Sequence, residues 1–558
     1  MSNYVIGLDY GTNSCRAVLM QIGSTQELAA AVFPYPSGEL GVLVDPVDPQ
    51  AARQHPQDYI DGMVSNIKAV LKDADANVSG FSAELVVGLG FATTGSTVIP
   101  VNKNCVPLAL TPEHKDNYNA MAWLWKDHTS TEEAAQITQL ATEIRPEYMA
   151  RCGGTYSSEW FWAKVLHLKN IDPKTFNDSY SFVELCDFLP AILSGINTPE
   201  QIKAGVCAAG HKALYSDSWG GLPDKDFLTQ LDPALADLRD KLYSKAYTSD
   251  QSAGTINKEW ALKTGLAEGT VIAVGAFDAH MGAVGAAIKE GSLIKIMGTS
   301  TCDLMISKKD QAIEGVCGTV QGSVIPGYVG IEAGQSAVGD LFLWLVNNIV
   351  PESYGKSQDE KFKNLTAKAA EQKAGQSGLI ALDWNNGNRC VLTDMNLSGL
   401  LLGQTLHTKP HEIYRALIEA TAFGALKIIN RLEESGAPVK EVICCGGLAQ
   451  KNALMMQIYA DVTGRTIRIA GTEQTCAVGA AIFAAAAAEG KTVFDLQTEM
   501  THVSETFYTP QKEAVTTYKK LYALYADLHD SFGVEGSSMS LYHIMKSLHK
   551  IRKESCNA

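Results

Sequence analysis

Two stretches half a chain apart are built to one plan. Val5-Ile6-Gly7-Leu8-Asp9-Tyr10-Gly11-Thr12-Asn13-Ser14-Cys15-Arg16-Ala17-Val18-Leu19 lies near the N-terminus, and Leu293-Ile294-Lys295-Ile296-Met297-Gly298-Thr299-Ser300-Thr301-Cys302-Asp303-Leu304-Met305 lies just past the middle. Each reads as an apolar strand, a tight turn rich in Gly, Thr and Ser, and a second strand of β-type residues. Such a turn offers backbone N–H groups and hydroxyls without side-chain bulk, which suits a phosphate oxygen. Recurrence at that separation points to a duplicated fold with a polyphosphate gripped between the halves. Gly11, Thr12 and Asn13 in the first turn, and Gly298, Thr299 and Ser300 in the second, are the candidate phosphate ligands.

A chain of 558 residues exceeds what one core accommodates, so at least two large domains are expected. Strand-like and helix-like segments alternate, which argues for α/β architecture. Leu85–Phe91, Val271–Phe277 and Glu441–Cys445 read as buried strands, and Tyr59–Leu71, Ile413–Leu432 and Asn452–Val462 as helices. The domain boundary is placed at 262/263, within the polar stretch after Gly254, and 534–558 reads as a tail in which Val534–Ser538 links to a short basic helix. The formal charge of −15 argues against a nucleic-acid partner. The longest apolar run, Ala477–Ala488, is shorter than the ~20 residues a bilayer requires, so no membrane association is expected. Twelve scattered Cys without a Cys-x-x-Cys suggest neither a disulfide framework nor a zinc site. With a start that lacks a signal-peptide pattern, they point to the cytoplasm.

Asp9 stands beside the first turn, where phosphates would repel its carboxylate unless a cation lay between; Mg²⁺ suits that position. The alternative is a hairpin in which Asp and Gly only supply backbone angles. Met297 stands at the comparable place in the second hairpin, so the two halves are unequal. Asp278 closes a strand and precedes small residues, Ala279-His280-Met281-Gly282. A carboxylate at a strand's C-terminal edge could take a proton from a hydroxyl attacking a γ-phosphorus, or it could simply cap a helix. Gly446-Gly447 and Asn452 lie between a strand and a helix, where a flat ring could approach the backbone; no Gly-x-Gly-x-x-Gly is present.

The order of these motifs resembles that of the FGGY carbohydrate kinases. Trp125-Lys126-Asp127-His128, Ser157-Ser158-Glu159-Trp160-Phe161-Trp162-Ala163-Lys164, Ala209-Gly210-His211-Lys212 and Asp383-Trp384-Asn385-Asn386-Gly387-Asn388-Arg389 look like phrases of family members that act on L-ribulose. The resemblance implies two ribonuclease-H-like domains of the actin/hexokinase/Hsp70 superfamily with a cleft between them. It also implies ATP and Mg²⁺ as cofactors, and phosphorylation of a pentulose, L-ribulose to L-ribulose 5-phosphate in L-arabinose breakdown. By that likeness Asp278 is the general base, Asp9 the metal ligand, and Gly446, Gly447 and Asn452 border the adenosine. Gly95, Asp127, Lys212, Asp278 and Glu332 would surround the sugar. Phe91–Thr97 lacks the Asp expected before the aromatic residue, so the pentulose assignment rests on the other phrases. Alternatives are kinases of D-ribulose, xylulose or ribitol, and an actin- or Hsp70-like ATPase. Partners beyond sugar and ATP are not implied, and self-association stays open.

Overall fold

Strand β1 (Tyr4–Tyr10) turns back on β2 (Ser14–Gln21), which pairs antiparallel with β3 (Glu27–Pro34). The computed structural model describes residues 3–557. On its other side β1 lies parallel to β4 (Val86–Thr93). Beyond β4 come β6 (Val271–Ala273), parallel to it, and β5 (Ser252–Thr255), antiparallel to β6. Short β7 (Ala276–Phe277) also runs parallel to β4. The run Val271–Phe277, read above as one strand, is thus broken at Gly275, where a side chain would collide with the Cys186 carbonyl.

The second sheet repeats this pattern. Strand β8 (Ser292–Met297) turns into antiparallel β9 (Thr301–Ser307), followed outward by β11 (Val329–Gln335) and β10 (Gly318–Gln321). Its other neighbours are parallel β12 (Glu441–Cys445) and β13 (Ile467–Ala470), then antiparallel β14 (Val503–Tyr508). Both sheets therefore read antiparallel, antiparallel, parallel, parallel, antiparallel across their shared strands, with β10 an added edge. A duplicated α/β fold is what the paired hairpins required.

Helix α1 (Pro56–Asn77) covers the outer face of the first sheet with Tyr59, Met63, Ile67 and Val70, at helical spacing. Between the sheets run α2 (Asp278–Gly285) and α3 (Thr475–Glu489). The apolar run near residue 480 is thus a buried helix whose Ala side chains admit close approach. A side chain at Gly7, Gly88 or Gly90 would strike the carbonyls of Ala477, Ala484 and Ala480, so glycines in β1 and β4 let α3 lie directly on the strands. Contact at that distance also joins α2 to α3, through Gly285 against Thr475 and Gly479 against Met281. The end of the chain forms a helix, Ile544–Asn557, whose Ile544, Leu548 and Ile551 join the core of the second half. Among the described residues no helix is long and apolar enough to cross a membrane.

Candidate active site

Three parallel strands end side by side. β4 lies between β1 and β7, with Asp9 opposite Ala92 and Phe277 opposite Thr93. Asp278, which follows Phe277 and opens α2, therefore shares one sheet edge with Asp9. C-terminal strand edges are where α/β enzymes gather their chemistry, because backbone amides and helix starts converge there. Burial pushes the Asp9 carboxyl up to about 6, opposed by Arg16 at 3.6 Å. Burial, then the charge of Asp9, push half-buried Asp278 up to about 7; the Ala279 N–H, donating at 2.7 Å, opposes the rise. Two buried carboxyls sharing one edge, with the charge of Asp9 raising Asp278, fit a site built to receive a cation, and a carboxyl near 7 suits proton transfer at neutral pH.

The two turns are alike in geometry. The Gly11 N–H donates to the Ser14 carbonyl at 3.0 Å, and the Gly298 N–H to that of Ser300 at 2.9 Å. Gly298 and Thr299 are exposed, and Gly11 and Thr12 half-buried. With Gly11 and Gly298 matched, the residue comparable to Asp9 is Ile296 rather than Met297, so the second turn still lacks an acid. Thr12 accepts from the Trp125 indole at 3.1 Å, which ties the first turn to the Trp-Lys-Asp-His phrase. Asn13 turns its side chain away to donate to the Leu40 carbonyl at 2.9 Å, and its own carbonyl accepts the Tyr35 N–H at 3.0 Å. Gly446 adopts φ +93° against the Met297 carbonyl, so β12 ends pressed on β8, while the space around Gly447 is open. Asn452 spends its side chain locally: its oxygen caps the helix Ala453–Thr463 at Met455 N–H, 3.1 Å, and its amide donates to Tyr414 at 2.9 Å. Its side chain is therefore not free to bind a base.

Beside Asp278 lies a second charged group. Lys212, in the last turn of the helix Val206–Lys212, stands 3.3 Å from both oxygens of Glu332 on β11, and both residues are buried. Burial opposes the Glu332 charge, but Lys212, then His211 and His280, hold its carboxyl well below the usual range. The Lys212 ammonium sits 5.0 Å from the Trp160 ring and 5.7 Å from that of Phe277. Gly95 packs flat on Phe277, where any side chain would collide with the ring. Gly95 and Lys212 thus both meet Phe277, the neighbour of Asp278, and Glu332 joins them through Lys212. Asp127 does not join them as expected. It is fully buried and paired with Arg53; it also accepts the Ala52 N–H at 2.7 Å and the Thr129 hydroxyl at 2.6 Å. These bonds occupy both its oxygens.

The loop after β4 is held by residues whose roles the sequence did not disclose. Glu184 accepts from the Ser96 hydroxyl and, at 2.8 Å, from the Thr97 N–H. Lys164 donates to the carbonyls of Ser96 and Leu124, both at 2.8 Å, and burial lowers its pKa to about 8. Arg389 lies 3.5 Å from Glu159, joining the two halves across the cleft. His211 and His280 lie beside Glu332, their rings tilted 58° to one another with centres 4.6 Å apart. Partners separated by tens of residues carry no local spacing signal; membership of His211 in Gly-His-Lys and of His280 beside Asp278 was the available hint.

A duplicated sheet with paired Gly-Thr-Ser turns and a carboxylate at a shared strand edge fits a phosphoryl-transfer enzyme of the sugar-kinase class. Residues 4–285 match the N-terminal domain, and 293–488 the C-terminal domain, of the FGGY family of carbohydrate kinases. The chain belongs to that family. It is 41% identical to the ribulokinase of Vibrio parahaemolyticus, over 94% of this chain and 95% of that one. With the ribulokinase of Geobacillus thermodenitrificans the identity is 42%, over 95% and 94%. In fold it resembles the xylulose kinase of Rhodospirillum rubrum, with a TM-score of 0.78 at 22% identity, covering 95% of this chain and 100% of that one. The Plasmodium falciparum glycerol kinase with ADP gives a TM-score of 0.76 at 14% identity, covering 96% and 99%.

Proposed function

We propose that this carbohydrate kinase transfers the γ-phosphoryl group of ATP to the C5 hydroxyl of L-ribulose. The observation that carries the reading is the placement of Asp278, raised to about 7, at the cleft edge beside the Lys212–Glu332 pair. The substrate is supported by near-full-length likeness to ribulokinases. Lys212 binds an oxygen of the sugar, and Glu332, kept ionised, accepts from its hydroxyls. Gly95 leaves room for the sugar against Phe277. Asp278 takes the proton as the hydroxyl oxygen attacks phosphorus, and the Gly11–Asn13 and Gly298–Ser300 amides face the phosphate oxygens. Gly446 and Gly447 border the adenosine.

Asp9, raised by burial, and Asp278, raised by burial and by Asp9, fit a site for Mg²⁺, with Asp9 the residue that would hold it; when bound, the ion would supply charge neutralisation at the phosphates. In this reading residues 1–262 carry the sugar pocket and first turn, and 263–533 the second turn and Asp278. All twelve cysteines are free thiols, which suits a reducing cytoplasm. An ADP-release assay across L-ribulose, D-ribulose, xylulose and ribitol tests the substrate. The highest kcat/KM is expected for L-ribulose; a clear preference for xylulose refutes the assignment.

A further inference from the structure

Beside the Lys212–Glu332 pair lie two histidines, His211 and His280, that phosphoryl transfer does not use. His211, His280 and Glu332 are all buried and direct one ligand atom each into a space where these atoms lie within 4.8 Å of one another. Glu332 Oε2 is 3.3 Å from His211 Nδ1 and 3.9 Å from His280 Nε2. Neither ring nitrogen of His280 has a hydrogen-bond partner, nor does Nδ1 of His211. Leaving three such atoms dry and unpaired is costly, at about 1–3 kcal/mol for each group.

The tautomer of His211 sharpens the point. Ser323 donates its hydroxyl proton to the Val320 carbonyl at 3.2 Å. Its oxygen is then left to accept from His211 Nε2, 3.1 Å away. A neutral imidazole with its proton on Nε2 presents a bare lone pair at Nδ1, which lies 3.3 Å from a carboxylate oxygen. Two electron-rich atoms at this separation repel unless a cation stands between them. A histidine whose far nitrogen is fixed by a hydrogen bond, so that the near one points at a carboxylate, is the usual preparation of a metal ligand.

We propose that His211, His280 and Glu332 form a binding site for one borderline divalent transition cation of the Zn²⁺ class, and that its occupancy excludes the sugar. Two imidazoles and one carboxylate match that class, and bonds of about 2.0–2.1 Å place tetrahedral ligands about 3.3–3.4 Å apart. The spacings of 3.3 and 3.9 Å to Glu332 are close to that, and the imidazole nitrogens, within 4.8 Å of one another, would draw together around the ion. The cation would take Glu332 Oε2 from Lys212, which now shares both oxygens. Cation and ammonium compete for one carboxylate, so metal binding disrupts the pair assigned to the sugar. The antagonism rests on that sugar-binding reading; the metal site does not.

Co²⁺, a coloured stand-in for Zn²⁺, is titrated into the sugar-free full-length protein. One equivalent should bind with the visible bands of a nitrogen- and oxygen-ligated ion and no thiolate charge-transfer absorption. His280→Gln should weaken binding at least tenfold, and Ser323→Ala, which touches no proposed ligand atom of the metal, about 10–100-fold. Absent bands, thiolate bands, or affinities unchanged in both variants overturn the site. Saturating L-ribulose should weaken Co²⁺ binding at least tenfold; unchanged affinity overturns the antagonism. A preference for a different sugar in the kinase assay would refute the substrate assignment and leave the Co²⁺ result standing.

Discussion

Replacing Asp278 by Asn should stop the reaction and strengthen the fold, and the second effect should depend on pH. The carboxyl is raised from 3.8 to about 7, by burial first and the Asp9 charge second. A group that holds its proton more tightly when folded stabilises the fold below its unfolded pKa, and that contribution drains away as pH rises through the folded value. About three pKa units at ~1.4 kcal/mol each give an upper figure of about 4 kcal/mol, and solvent screening at a half-buried site halves it to about 2. Asn carries no charge to desolvate, so it escapes this penalty. At this chain length about 2 kcal/mol raises Tm by about 2 °C. Scanning calorimetry without ligands, at pH 4, 6 and 8, should show Asp278→Asn melting with the parent at pH 4 and about 2 °C above it at pH 8. Turnover should fall by about 10²–10⁴ with nucleotide binding retained, as for loss of a general base. In the parent, kcat/KM should rise with pH through about 7. A Tm difference independent of pH refutes the electrostatic argument, and unchanged turnover removes Asp278 from its role.

Gly90→Ala drives a methyl group into the Ala480 carbonyl and must pry α3 off the sheet. It should cost more than ~3 kcal/mol, seen as a large fall in Tm or in soluble yield. Glu184→Gln keeps the shape but weakens the charged bonds to Ser96 and Thr97. It should raise KM for the sugar about tenfold with little change in KM for ATP; equal effects on both would argue against a local role for this loop.

Much of the fold was legible because it rests on local periodicity. Glu441–Cys445 is a strand from end to end as read, and α1 extends the stripe recognised at Tyr59–Leu71. The paired hairpins announced the duplicated sheets because a Gly-rich turn between two apolar strands leaves few alternatives. What stayed hidden was what long-range contact decides. Nothing around Gly275 shows that Cys186 will crowd it, and nothing near Asp127 announces Arg53. The same holds for the site. Asp9 and Asp278 were marked by their place at strand ends, whereas Glu184, Lys164 and the two histidines matter through partners far away in the chain.

The position of α3 has a consequence for how the protein is made. The glycine face of β1 and β4 is complete once Thr93 has been synthesised, but the helix that seals it begins at Thr475, roughly 380 residues later. At ribosomal rates of about 5–20 residues per second that face waits about 20–80 s for its cover. The first half cannot therefore reach its final packing while the second is still being translated. Its strands need shielding in the interval, and a message truncated before residue 475 yields a polypeptide with an unsealed sheet rather than a smaller kinase domain.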